Sequence, residues 1–151
     1  MPSATILDRR EFTANLRTAL ATATGRPIGN HVAPDPPAGA NSPSVPYGIL
    51  YAVGGGGFGG PEFASPTADA AVVYQVTSIG IRPDQVEWLA DRVRKTILGR
   101  DVNGAFVTAI TAPTGYVLGD RWPDAGAGPI DPGDNSLYSL AERYVFWLTP
   151  A

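Results

Sequence analysis

Apolar residues recur along this chain in two periods, and the switches between them mark out its elements. From Asp8 to Thr24, Phe12, Leu16, Ala19, Leu20 and Ala23 fall at helical spacing, with Arg10 and Arg17 off the stripe. Asp8 stands at the N-cap with Glu11 three residues on, the capping-box spacing, and Leu7 and Phe12 are placed as a hydrophobic staple. Gly25 and Pro27 end the helix. Pro27–Val32 reads as an edge strand and Tyr47–Val53, aromatic and β-branched, as a buried one. From Ala70 to Ile81 the period becomes two. Val72, Tyr74 and Val76 point one way, and Val73, Gln75, Thr77 and Ile79 the other. Both sets carry apolar side chains, which predicts a central strand covered on both faces.

The helical period then returns. Pro83 suits the first helical position, Asp84 and Glu87 the positive first turn, and Val86, Leu89, Ala90, Val93 and Ile97 form one apolar face down to Leu98. Asp91 and Lys95 are spaced for an i,i+4 pair. Trp88 breaks the pattern, lying about 160° from the centre of the apolar face, beside Arg92 and Lys95. It either packs under a loop of its own chain or meets another chain.

Past Gly99 the pattern weakens. Ala105–Thr111 and Gly115–Leu118 read as short strands joined by a turn at Ala112–Thr114, and DRWPDAGAGPIDPGDN as a polar loop. The closing RYVFWLTPA is apolar at nearly every position, which predicts a strand inside the sheet that Pro150 terminates. The expected fold is a single α+β domain over residues 1–151, a mixed sheet of about five strands packed against two α-helices, with long Gly/Pro-rich loops. The two helices cover one face of the sheet, and the other face needs a cover of its own or a neighbouring subunit.

Composition sharpens this picture. Eighteen glycines and fifteen prolines are about a fifth of the chain, concentrated in APDPPAGANSPSVP and GGGGFGGPEFASPT. These runs flank one strand and predict a loop at each of its ends. There is no cysteine, which excludes disulfides and thiolate metal sites. The N-terminal MPSATILDRREF lacks the apolar core of a secretory signal, and no run is long enough for a membrane span. A net charge of −3 argues against a phosphate-neutralising grip on nucleic acid. Acidic side chains gather in the last third, with Asp120, Asp124, Asp131 and Asp134 close together.

The chain carries no clear catalytic or metal-binding signature. The lone His31, even with Asp35 nearby, has no nucleophile elbow to serve, and it reads as structural. Gly55, Gly57 and Gly60 match the dinucleotide fingerprint formally, but prolines and a strand follow where a helix N-terminus must stand. The aspartates do not have the spacing of a calcium loop, and turn chemistry accounts for them. The expectation is no catalytic residue, no metal and no cofactor.

Across VVYQVTSIG, RPDQVEWLADRVRKTIL and the closing YVFWL, the chain resembles the tail terminator proteins of long-tailed bacteriophages. There too an N-terminal helix precedes a Pro-rich strand region, matched here by PIGNHVAPDPP and PYGILYAV, and a long strand leads into a second helix. The Gly54–Gly60 loop and the Asp120–Asp134 stretch depart from that pattern. The resemblance implies a non-enzymatic virion protein of the tail and neck, assembled in the host cytoplasm. It would form a homohexameric ring that caps the tail tube, stops its polymerisation and joins it to the neck. The implied partners are its own copies, the major tail tube protein and a neck or head-completion protein, with DNA passing through the lumen unbound and no membrane contact.

In such a ring Trp88, Arg92 and Lys95 are candidates for the subunit interface. Pro36, Pro37, Gly56, Phe58 and Gly59 are candidates for partner-contacting loops, and Asp120, Asp124, Asp131 and Asp134 for an acidic lumen. The alternatives are another neck protein, a stopper or adaptor, or a small ligand-binding or enzymatic domain with its pocket near His31.

Overall fold

The computed structural model describes residues 7–34, 45–53, 69–124, 130–132 and 137–151. Helix α1 (Arg9–Thr24) starts where the capping pattern places it, the Asp8 carboxylate accepting from the Glu11 amide at 3.1 Å. It stops at Gly25, which takes the left-handed conformation at φ 69° that a side chain would resist. Phe12, Leu16 and Leu20 are fully buried. Ala23, expected on the apolar stripe, is exposed. Thr13 and Thr24 sit on the core side instead, where their hydroxyls donate back to the carbonyls of Arg9 and Leu20 and so enter the core satisfied.

The strands follow as β1 (Ile28–Asn30), β2 (Tyr47–Val53) and β3 (Ala70–Gly80). Helix α2 (Pro83–Leu98) comes next, then β4 (Tyr116–Pro123), β5 (Asp131–Pro132) and β6 (Tyr138–Pro150). Five strands lie side by side as β1-β2-β3-β6-β4, and the short β5 pairs with the start of β6. The β1–β2 pair is parallel and the rest antiparallel, so the sheet is mixed and the fold α+β. The closing strand β6 lies inside the sheet, as its unbroken apolar run predicts.

Both helices cover one face. Val72, Tyr74 and Val76 meet Phe12, Leu16, Leu89, Val93 and Ile97 there, with Tyr144, Phe146 and Leu148 from β6. Phe12 stands edge-on to Tyr74 and Phe146 with ring centroids 5.8 and 5.5 Å apart, the arrangement aromatic quadrupoles prefer. On the opposite face Ala71, Val73 and Val145 make a second, smaller cluster with Val53 and Trp147.

Three expectations need correction. Residues 105–111 form no strand, and a single bridge between Arg100 and Phe106 is the one piece of ladder there. The run beginning at Asp120 is not all loop, because β4 continues through Arg121 and Trp122 to Pro123. A bulge makes this possible: three residue steps on β4, from Leu118 to Arg121, span two on β6. The extra residue puts Arg121 on the helix side and Trp122 on the other. Finally, Asp91 pairs with Arg94 at 2.8 Å rather than with Lys95, because Arg94 is also held by Glu142 of β6 at 2.7 Å.

Candidate functional site

The apolar face of α2 is spent on the core, so what the helix offers outward is the turn carrying Trp88, Arg92 and Lys95. All three are exposed, and Trp88 keeps 42% of its surface open, so the described residues cover it only in part. The Arg92 guanidinium lies over the indole, 4.4 Å from the ring centroid. That stacking holds a flat, partly cationic platform in place. The structure therefore brings Trp88 and Arg92 into contact, with Lys95 on the same side of the helix.

The indole forms a ridge between two grooves. One, of about 480 Å³, runs among Ala23, Trp88, Arg92, Lys95, Val107 and Thr108. The other, of about 560 Å³, is bounded by Arg26, Pro46, Arg82, Asp84, Gln85 and Trp88 at the start of α2. Val107 is 67% exposed, a second apolar side chain beside the Trp88 platform. Sequence reading placed Val107 and Thr108 in a strand and missed this role.

Val107 is held there by its amide's bond to the Gly99 carbonyl at 3.0 Å, and Thr108 by Arg121. Aimed inward by the bulge, its guanidinium donates to the carbonyls of Ile97 at 3.2 Å and Thr108 at 2.8 Å. It thereby caps the negative end of α2 and pins residue 108 to it at once. The Phe106 ring is held between Arg121 and Arg100, 4.2 and 4.0 Å from the two guanidinium carbons. Burial, and secondarily the Arg100 charge, lower the pKa of Arg121. Arg100 itself is tied to Asp120 at 2.8 Å.

Asp120 thus has a cationic partner, and Asp124 is exposed just beyond β4, its amide donating to the Arg143 carbonyl. Asp131 lies in β5, its side chain outside what is described, and Asp134, Pro36, Pro37, Gly56, Phe58 and Gly59 lie outside the described residues. His31 has both ring nitrogens engaged, Nδ1 with Asn30 Oδ1 at 2.6 Å and Nε2 accepting from the Ala52 amide at 3.3 Å. With its own amide bonded to the Leu50 carbonyl, it extends the β1 edge, a structural role. Among the described residues no three metal-ligating side chains gather, and no helix is long and apolar enough to cross a membrane.

No protein-family model matches the chain, and no curated protein sequence matches it. Among solved structures, the chain is similar to one from the "Virion of native gene transfer agent (GTA) particle", at 17% identity and a TM-score of 0.57. The match covers 97% of this chain and 99% of that one, so the likeness is of the whole fold.

Proposed function

We propose that this chain is a virion structural subunit of a phage-like particle, a tail terminator whose copies close into a hexameric ring on the end of the tail tube. The observation that carries this reading is the end-to-end likeness of fold to a chain of a gene transfer agent virion. The finer role, a tail terminator, is supported by the resemblance of the strand–helix unit and closing strand to that family. The surface suits a protein that works by contact. Trp88, stacked under Arg92, joins aromatic and cationic groups of the kind that anchor subunit interfaces. In the assembled ring the Asp120–Asp134 margin faces the lumen and repels passing DNA. The chain acts without catalysis, metal or cofactor, and its partners are its own copies, the tube protein and a neck protein.

The test is mass and function together. In solution the protein is expected to form a hexamer by native mass spectrometry, to bind the ends of growing tail tubes and to halt their elongation. Trp88→Glu should leave the circular dichroism spectrum unchanged and weaken assembly. A ring that binds a neck component without arresting tube growth would make it a stopper or adaptor instead. A monomer stabilised by a small ligand would overturn the reading.

A further inference from the structure

At one edge of the sheet a side chain stands in for the main chain. Strand β1 pairs with β2 only as far as Asn30 opposite Leu50, while β2 runs on to Val53. The ladder goes one bond further, from the His31 amide to the Leu50 carbonyl at 2.9 Å. The next donor on that edge is the Ala52 amide, and in a continued parallel ladder a main-chain carbonyl would take it. Here the imidazole takes it, His31 Nε2 accepting at 3.3 Å.

The chain leaves the ladder because His31 sits at φ 62°, in the left-handed region that a residue other than glycine enters at a cost. It then doubles back. A Cβ at Gly29 would collide with the Val32 carbonyl, and Pro34 is buried, lining one groove with Arg17 and Ile28. The imidazole bond thus anchors the residue on which this turn pivots.

The two ring bonds fix the tautomer. An amide only donates, so Nε2 carries no proton. Nδ1 lies 2.6 Å from Asn30 Oδ1, which only accepts, so the ring proton is on Nδ1. The ring is neutral in this arrangement. A second proton can go only to Nε2, where it removes the acceptor from Ala52. Histidine is the side chain that changes charge between about pH 5 and 8.

The groups packed around the ring do not offset that charge. On β2 it meets Tyr51 edge-on, with centroids 5.5 Å apart, and on β1 it meets Asn30. From α1 come two cations, Arg17 on the Ile28 carbonyl at 2.6 Å and Arg9 on the Val53 carbonyl at 2.9 Å. Among the described residues no carboxylate is paired with the ring, and Asp35 lies outside them.

We infer that His31 is a pH-sensitive latch on the open edge of β2. Neutral, it closes the ladder at Ala52 and holds the turn of residues 31–34. Protonated, it releases the Ala52 amide and the turn opens, while the core stays closed.

The chain has a single histidine, so one set of ring resonances reports the titration. At neutral pH the imidazole nitrogen shifts should show Nδ1 protonated and Nε2 bare, the tautomer that free histidine favours less. As the ring titrates, the Ala52, Val32 and Ala33 amide resonances should move with the same midpoint. Protection of the Ala52 amide against exchange, corrected for the intrinsic rate, should fall about threefold to tenfold, the worth of one net hydrogen bond. Tyr74 and Phe146, in the middle of the sheet, should keep theirs. His31→Asn retains a residue that tolerates the left-handed region and loses the titration. Its Ala52 amide should be weakly protected at every pH, with no midpoint.

A wild-type ring with its proton on Nε2 at neutral pH would overturn the latch. So would an Ala52 amide that ignores the His31 titration, or a midpoint there that survives in His31→Asn.

Discussion

Tyr144 is wholly buried, its hydroxyl donating to a Glu142 carboxylate oxygen at 3.3 Å. Burial, and then the Glu142 charge, push its pKa up from the ordinary 10.0. In the unfolded chain the phenol ionises from about pH 10 upward while the folded protein keeps its proton. Above that pH the folded state binds more protons, so stability is complete below it and falls as pH rises. The slope is up to about 1.4 kcal/mol per pH unit for one such tyrosine. Tyr47, raised by burial and by Tyr51, acts with the same sign. Urea midpoints measured between about pH 8 and 11 should therefore fall. Tyr144→Phe should flatten that fall, and an undiminished slope would place its cause elsewhere. At this scale the sequence was least readable, because it shows that a residue is charged or phenolic but not what will surround it. Arg9 is the plainest case. Its guanidinium donates to the carbonyls of Val53 at 2.9 Å and Val73 at 2.7 Å, the last pair of the β2–β3 ladder, and no periodicity announces that.

Elements with one dominant signal were legible. Helix α2 begins at Pro83 and buries Val86, Leu89, Ala90, Val93 and Ile97, as its spacing predicts, and β2 has the expected bounds. The segment from Gly99 to Gly115 was not. Phe106, Val107 and Ile110 have the composition of a strand, yet their backbone is held by single, scattered partners. The Val107 amide donates to the Gly99 carbonyl, Arg121 takes the Thr108 carbonyl and Asn15 the Thr111 carbonyl. Long-range side-chain clasps override local propensity here. Arg121 is the member on which the segment depends. Arg121→Met would leave the Ile97 and Thr108 carbonyls without this donor, at an expected loss of about 2–3 kcal/mol. Amide exchange should quicken first at residues 105–109, ahead of the sheet. Assembly should weaken too, because Val107 and Thr108 wall one of the grooves beside Trp88. Uniform exchange across the protein would show that Arg121 supports the fold at large rather than this segment.

For the whole molecule, the alternation in β3 foretold that both faces of the sheet carry apolar residues, and the two faces are nevertheless unequal. On the helix side Phe12, Tyr74 and Phe146 interlock edge to face, all wholly buried. On the other side the cluster of Ala71, Val73 and Val145 is small. Beside it Trp122 lies 6.3 Å from Trp147 between ring centroids, with 38% of its surface open. The stability of the isolated subunit should therefore reside in one face. Phe12→Ala removes a ring from closed packing and is expected to cost about 3–5 kcal/mol. Trp122→Gln, on a half-open site, should cost about 1 kcal/mol or less. Paired urea titrations of the two variants would separate these values. Equal losses would mean that the second face is closed packing as well, which would remove it from the surfaces a neighbouring subunit could cover. Unequal losses leave a subunit stable by its helix side alone, with Trp88 and the second sheet face both available for contact with its own kind.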